Sequence, residues 1–252
     1  MFDLYLALGD SMSIDFYPAQ DALKRGLSQR EELGAASLLY KNDAELFPEF
    51  NGKDLSSIFP GIRYENLAFD GATTEDWLSA VRINDLEKHS KLRTLVTLTL
   101  GGNDLLQTFR WNASKGEETL AAAFQGPTKR FANVIDLIQQ KMPRSILVVS
   151  TVFDPTDGTG IIPVQSSLYD KPLPIEYLAL FNNFVSSMRQ KQLIFVADVQ
   201  KHFEGHGAAC GEEENFWYWK PSPIEPSYKG ASEIRRVLLD TIMTIPETKS
   251  QT

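Results

Sequence analysis

The feature that most constrains this chain is an alternation. Five short apolar runs rich in Val, Ile and Leu recur along it, separated by longer stretches with helical spacing. The runs are Leu4–Leu8, Ile62–Ala68, Leu95–Leu100, Ile146–Val152 and Leu193–Val199. Short, continuously apolar segments suit strands covered on both faces, the condition inside a parallel sheet flanked by helices. Between them, Leu33 to Phe47 is rich in Ala and Leu. Thr73, with Asp76 three residues on, reads as a capping-box start to a helix. Phe131, Val134, Ile135, Ile138 and Met142 share one helical face. Tyr177, Phe181, Val185 and Met188 share another. Ile234, Leu238, Ile242 and Ile245 form a third stripe, closed by Pro246. Such stripes read as core.

Strand–helix alternation with right-handed crossovers predicts an α/β fold: a three-layer α/β/α sandwich around a five-stranded parallel sheet. The commonest order for five such units is the flavodoxin-like 2-1-3-4-5, which brings the carboxyl ends of strands 1, 2 and 3 together at a ligand-binding switch point. With 252 residues the chain suits one domain with one sizeable core, and the reading is a single domain over 1–252 with a disordered or extended tail from about 246. The 33 acidic residues against 25 basic give a net charge of −8, which argues against nucleic acid as a partner. Cys210 is the one cysteine, so no intrachain disulfide forms, in keeping with a reducing compartment. No basic leader precedes an apolar segment, and no apolar run approaches the ~20 residues of a membrane span. A cytoplasmic protein without a membrane span is expected.

The predicted strand ends carry chemistry. Strand 1 ends in Gly9-Asp10-Ser11, strand 2 leads into Asn66 to Thr73 with Gly71 inside it, and strand 3 ends in Gly101-Gly102-Asn103-Asp104. A serine hydroxyl attacks a carbonyl once a base takes its proton. Backbone N–H groups and an asparagine amide stabilise the oxyanion that forms, and glycine lets the backbone come close. Each signal alone is weak: Gly-Asp-Ser suits a tight turn and Gly-Gly-Asn-Asp a βα turn. Their order at three adjacent strand ends is what carries weight. The three blocks resemble those of the SGNH (GDSL-type) hydrolase superfamily, and the resemblance spans the chain. It implies Ser11 as nucleophile of an ester hydrolase. It also implies an oxyanion hole of the Ser11 N–H, the Gly71 N–H and the Asn103 side chain, with no cofactor and no metal. The substrate expected is a small-molecule ester of unspecified identity. The Gly-x-Ser-x-Gly elbow of α/β-hydrolases is absent.

The last block departs from that family's Asp-x-x-His-Pro. Here the stretch is Ser222-Pro223-Ile224-Glu225-Pro226, with Ser222 in place of the aspartate and Glu225 in place of the histidine. Three readings follow. Glu225 is itself the base, with burial raising its pKa. Or a histidine arrives from elsewhere and Glu225 orients it. Or the site is catalytically retired and only binds. Of the three histidines, His89 lies in a charged stretch and reads as surface. His202 and His206 follow strand 5, and His206, between two glycines, is the better placed to supply a ring. The sequence ranks the second reading above the first and the first above the third, with Asp10, His202 and Ser222 as supporting candidates.

Two connections are long, Phe153 to Pro172 and Gln200 to Ser222. The second holds Phe216, Trp217, Tyr218 and Trp219, either an aromatic rim for substrate or a loop packing onto the body. Asp10, Asp15, Asp70 and Asp104 cluster near the predicted crevice, but no metal-ligand spacing accompanies them. Asp70 and Asp104 read as loop-fixing or capping groups. No phosphate-cradling glycine motif supports a nucleotide binder.

Overall fold

A computed structural model gives the protein's structure and describes residues 2–27, 29–112, 114–162 and 172–246. The strands are β1 (Leu4–Gly9), β2 (Arg63–Asn66), β3 (Thr94–Thr99), β4 (Ser145–Ser150), β5 (Ile194–Ala197), β6 (Tyr218–Trp219) and β7 (Ser222–Pro226). The helices are α1 (Phe16–Lys24), α2 (Ala35–Tyr40), α3 (Leu55–Ile58), α4 (Thr74–Trp77), α5 (Ala80–Glu87) and α6 (Gly102–Asn112). They continue as α7 (Glu117–Ala123), α8 (Gln125–Lys141), α9 (Ile175–Ser187), α10 (Val199–Phe203) and α11 (Tyr228–Ile242).

The first five strands form one parallel sheet in the order β2-β1-β3-β4-β5, as the alternation predicts. Leu4 to Gly9 pairs in register with Thr94 to Thr99 on one side, and Leu4 to Ala7 with Arg63 to Asn66 on the other. Side chains alternate across β1. Tyr5 and Ala7 join a core beneath α2 and α11, while Leu4, Leu6 and Leu8 join a second core with α4, α8 and α9. The predicted stripes lie in these cores. Phe131, Val134, Ile135 and Ile138 of α8 are buried on one face, and Ile234, Leu238 and Ile242 of α11 on the other. The capping box is present: Asp76 accepts from the Thr73 N–H at 2.8 Å, and the Thr73 hydroxyl accepts from Asp76 N at 3.3 Å.

One expectation is corrected. The segment Leu33 to Phe47 is helical only over Ala35–Tyr40. At Lys41 the backbone turns extended, and Asn42 is drawn away to the Phe47 carbonyl at 3.0 Å. The long connection after strand 5, offered above as a rim or a packed loop, contains regular structure. It contains α10 and the antiparallel hairpin β6–β7. Residues 163–171 of the other long connection, and 247–252 of the expected tail, lie outside the described residues. Among the described residues, no helix is long and apolar enough to cross a membrane.

Candidate active site

The site forms where β1, β2 and β3 end. Gly9 closes β1 with φ +132°, and a Cβ there would sit 1.9 Å from the Thr99 carbonyl oxygen, so only glycine lets the strand ends close up. The Asp10 N–H donates to that carbonyl at 2.9 Å. The chain then turns: Ser13 N donates to the Asp10 carbonyl at 3.1 Å, and Met12 N to the Asp10 carboxylate at 3.1 Å. The Ser13 and Thr99 hydroxyls meet at 2.8 Å. This turn, pinned to β3, carries Ser11, which is buried to 7% exposure.

The loop after β2 is anchored to the same turn. Asn66 donates to the Ser13 carbonyl at 3.2 Å and accepts from Ala68 N at 3.0 Å. Phe69 N and the Trp77 indole both donate to the Gly9 carbonyl, each at 3.3 Å. Gly71 then adopts φ +70° with open space where a Cβ would be. Asn103, at the start of α6, donates to the Ala72 carbonyl at 3.0 Å, tying the two loops together. Asp104 reinforces the tie. It accepts from Thr74 N at 2.9 Å, from the Thr74 hydroxyl, and from Arg130 at 3.1 Å. Asp104 thus caps α4 across the crevice, not the helix it belongs to. Among the described residues, no acceptor is found for the Ser11 or Gly71 N–H.

Glu225 arrives from the other side on β7. It is 7% exposed, and one carboxylate oxygen, Oε2, has no partner among the described residues. Burial pushes its pKa up to about 7, opposed by the nearby Ser11 hydroxyl and assisted by the charge of Asp70. Asp10 is more deeply buried. Desolvation raises it to about 8, against the Met12 N–H, and the charges of Glu225 and Asp104 raise it further. Burial above all, with the Glu225 charge adding to it, keeps the Asp10 carboxyl mostly protonated at pH 7.

Of the sequence candidates, Ser11, Glu225, Gly71, Asn103 and Asp10 are therefore brought into one neighbourhood. The histidines are engaged elsewhere. The His206 ring stacks on Trp217 with centroids 3.4 Å apart, and its Nδ1 meets the Asn215 carbonyl at 2.9 Å. His202 meets Glu233 of α11 at 2.8 Å. Neither Ser11 nor Glu225 is among the contacts of these rings. His89, just past the end of α5, is half-buried, with Nε2 3.3 Å from a Glu65 carboxylate oxygen on β2. Ser222 pairs with Trp219 at the far end of β7. Asp15 accepts from Gly34 N and the Ser37 hydroxyl, away from the crevice. Among the described residues, no group of three or more His, Cys, Asp or Glu could hold a metal ion.

The aromatic run divides. Tyr218 is buried against Phe153 and Phe203, so it is core. Trp219 faces Tyr17 with ring centroids 5.2 Å apart. Tyr17, which the sequence did not single out, donates to Asp70 at 3.0 Å. Burial, the Glu225 charge and that bond hold its phenol protonated above its usual range. A tyrosine six residues past a strand-end motif carries no signal that would mark it, and neither does Arg130 of α8.

The family model described as GDSL-like lipase/acylhydrolase matches residues 7–231. No curated protein sequence matches the chain. Among solved structures, an acetylxylan esterase from Geobacillus stearothermophilus has a TM-score of 0.62 at 15% identity, covering 99% of this chain and 97% of that one. Phospholipase A1 from Streptomyces albidoflavus NA297 has 0.61 at 21%, covering 96% and 100%. An extracellular lipase from Streptomyces rimosus has 0.56 at 22%, covering 94% and 99%. At these identities the structural likeness bears on fold.

Proposed function

The chain belongs to the GDSL-like lipase/acylhydrolase family, whose members act on esters, and we propose that here Ser11 is the nucleophile and Glu225 the general base. What supports it is the burial of the Glu225 carboxyl at the place in the last block where the family's histidine would stand, close enough to Ser11 for the serine hydroxyl to act on its pKa. A carboxylate at its ordinary pKa near ~4.3 is too weak to deprotonate a hydroxyl usefully, but one raised to about 7 matches neutral pH.

In the proposed reaction the Glu225 carboxylate takes the Ser11 proton as Oγ attacks the ester carbonyl. The Ser11 N–H, the Gly71 N–H and the second Asn103 amide hydrogen stabilise the oxyanion. Their orientation is fixed before substrate arrives, so no reorganisation accompanies charge build-up. Collapse breaks the bond to the alcohol oxygen, which receives the proton from Glu225. The acyl group is left on Ser11. Water, deprotonated by Glu225, then attacks the acyl carbonyl, and the acid departs as Ser11 regains its proton.

The test is turnover of p-nitrophenyl acetate and butyrate, with labelling of Ser11 by a serine-directed phosphonate. Turnover and labelling that both vanish in Ser11→Ala support the reading. An unlabelled, inactive parent protein would sink it in favour of a retired, ligand-binding site.

A further inference from the structure

A cavity of about 100 Å³ opens beside the site, at the carboxyl ends of β3 and β4. Two residues of its wall are chain neighbours of site residues. Gly102 lies next to Asn103, and Ile224 lies next to Glu225. Between them its wall is formed by Leu105, Leu106 and Phe109 of α6, Val152 and Phe153 after β4, and Leu178 of α9. Among the described residues, the one ionisable side chain in its wall is Asp154, and that carboxylate is turned into its own loop. It accepts from Thr156 N at 2.9 Å, the Thr156 hydroxyl at 2.6 Å and Gly158 N at 2.8 Å. The cavity therefore offers little to a sugar hydroxyl or a charged headgroup. Across Ser11, on the β2 side, the surroundings are of the opposite kind: the Tyr17 hydroxyl, the Asp70 carboxylate, and the Trp219 indole beneath the Lys24 ammonium.

Resting on the ester-hydrolase reading above, we infer that this cavity is the acyl pocket, and that the substrates are esters of a short unbranched alkyl acid with a polar alcohol. A carbonyl held by Asn103 has its acyl chain led past Gly102 into the apolar cavity, while the alcohol leaves toward Tyr17 and Asp70. The size sets the chain length. Apolar protein cavities of about 150 Å³ take up benzene, so this one suits about four to six carbons, not a long fatty chain. Each methylene buried contributes ~0.8 kcal/mol, about a fourfold change in kcat/KM.

Two measurements test this on the full chain. Across p-nitrophenyl esters from acetate to decanoate, kcat/KM is expected to climb about fourfold per methylene to about hexanoate and to fall beyond octanoate. Leu178→Trp fills the cavity and should cut the hexanoate-to-acetate ratio about tenfold or more, whereas Phe109→Ala should move the optimum to longer chains. Independently of turnover, isothermal titration with the neutral amides hexanamide and acetamide should show hexanamide binding about tenfold or more tighter, an advantage lost in Leu178→Trp and kept in Phe109→Ala. A flat chain-length profile, or amide affinities indifferent to chain length and to both substitutions, overturns the pocket while leaving ester hydrolysis standing. Chain-dependent hexanamide binding without turnover of any ester supports the pocket and overturns the hydrolytic reading instead.

Discussion

The two halves of the candidate site are built on opposite principles. On the side of β1, β2 and β3 the polar side chains are multiply tied: Asp104 holds Thr74 and Arg130, Asn66 holds Ser13 and Ala68, and Asn103 holds Ala72. On the β6–β7 hairpin, three buried polar atoms have no partner among the described residues: Tyr218 Oη, Trp219 Nε1 and Glu225 Oε2. The first half needs fixed dipoles, since donors aimed in advance work without reorganising. The second needs a carboxylate deprived of donors, since each hydrogen bond to the charged form would lower its pKa and weaken it as a base. In the proposed reaction, saturation on one side and scarcity on the other are complementary requirements of a single proton transfer.

The largest expected effect lies at the seam between the halves. Ser11→Ala should lower kcat about ten-thousand-fold or more in steady-state assays. Removing the base from the sparse half, Glu225→Gln, should cost ~10²–10⁴ in kcat/KM. In the parent protein kcat/KM should rise with pH through about 7 and level off above it, as Glu225 ionises, and that step should be missing from Glu225→Gln. A profile that keeps its inflection in the variant would point to another base. Removing a donor from the saturated half, Asn103→Ala, should cost ~10²–10³ in kcat with the pH midpoint unchanged.

The contrast also has a thermodynamic sign. A carboxyl whose pKa is raised by folding binds more protons in the native than in the unfolded chain. Stability from Glu225 is therefore full below its unfolded value of 4.5 and falls as pH rises to about 7. Glu225→Gln should consequently be the more stable protein above pH 7, by about 3 kcal/mol, and lose that advantage near pH 4 in paired denaturant titrations. The smallest effect is expected at His206, whose ring serves Trp217 and Asn215. His206→Ala should leave kcat/KM within about twofold.

Much of this was legible in the sequence because periodicity and burial are local signals. The five runs, the α8 and α11 stripes and the Thr73–Asp76 box report each segment's own environment. That the strand ends carrying Ser11, Gly71 and Asn103 lie side by side was legible from the commonest strand order for such alternation, which the sheet adopts. The base was harder. Whether Glu225 meets Ser11 or a histidine depends on where a hairpin folds back, and the Trp217 N–H bond to the His206 carbonyl at 3.1 Å that helps fix this comes from a residue pair with no pattern of its own. Tyr17 and Arg130 were not legible for the same reason. Their roles come from chain segments that meet only in three dimensions.

The hairpin strand β7 presents adjacent residues to different tasks, with Glu225 toward Ser11 and Ile224 in the wall of the apolar cavity. In the proposed arrangement, chemistry and selectivity fall on adjacent positions of one short ribbon. Point substitutions let a lineage retune chain-length preference at Ile224 without touching the proton acceptor next door. Loss or gain of one residue in the turn at Lys220-Pro221 is another matter. Such a change would shift the Trp219–Ser222 pairing that follows the turn, and with it the positions of both side chains. Over evolutionary time, this turn should accept changes of residue type and reject changes of length.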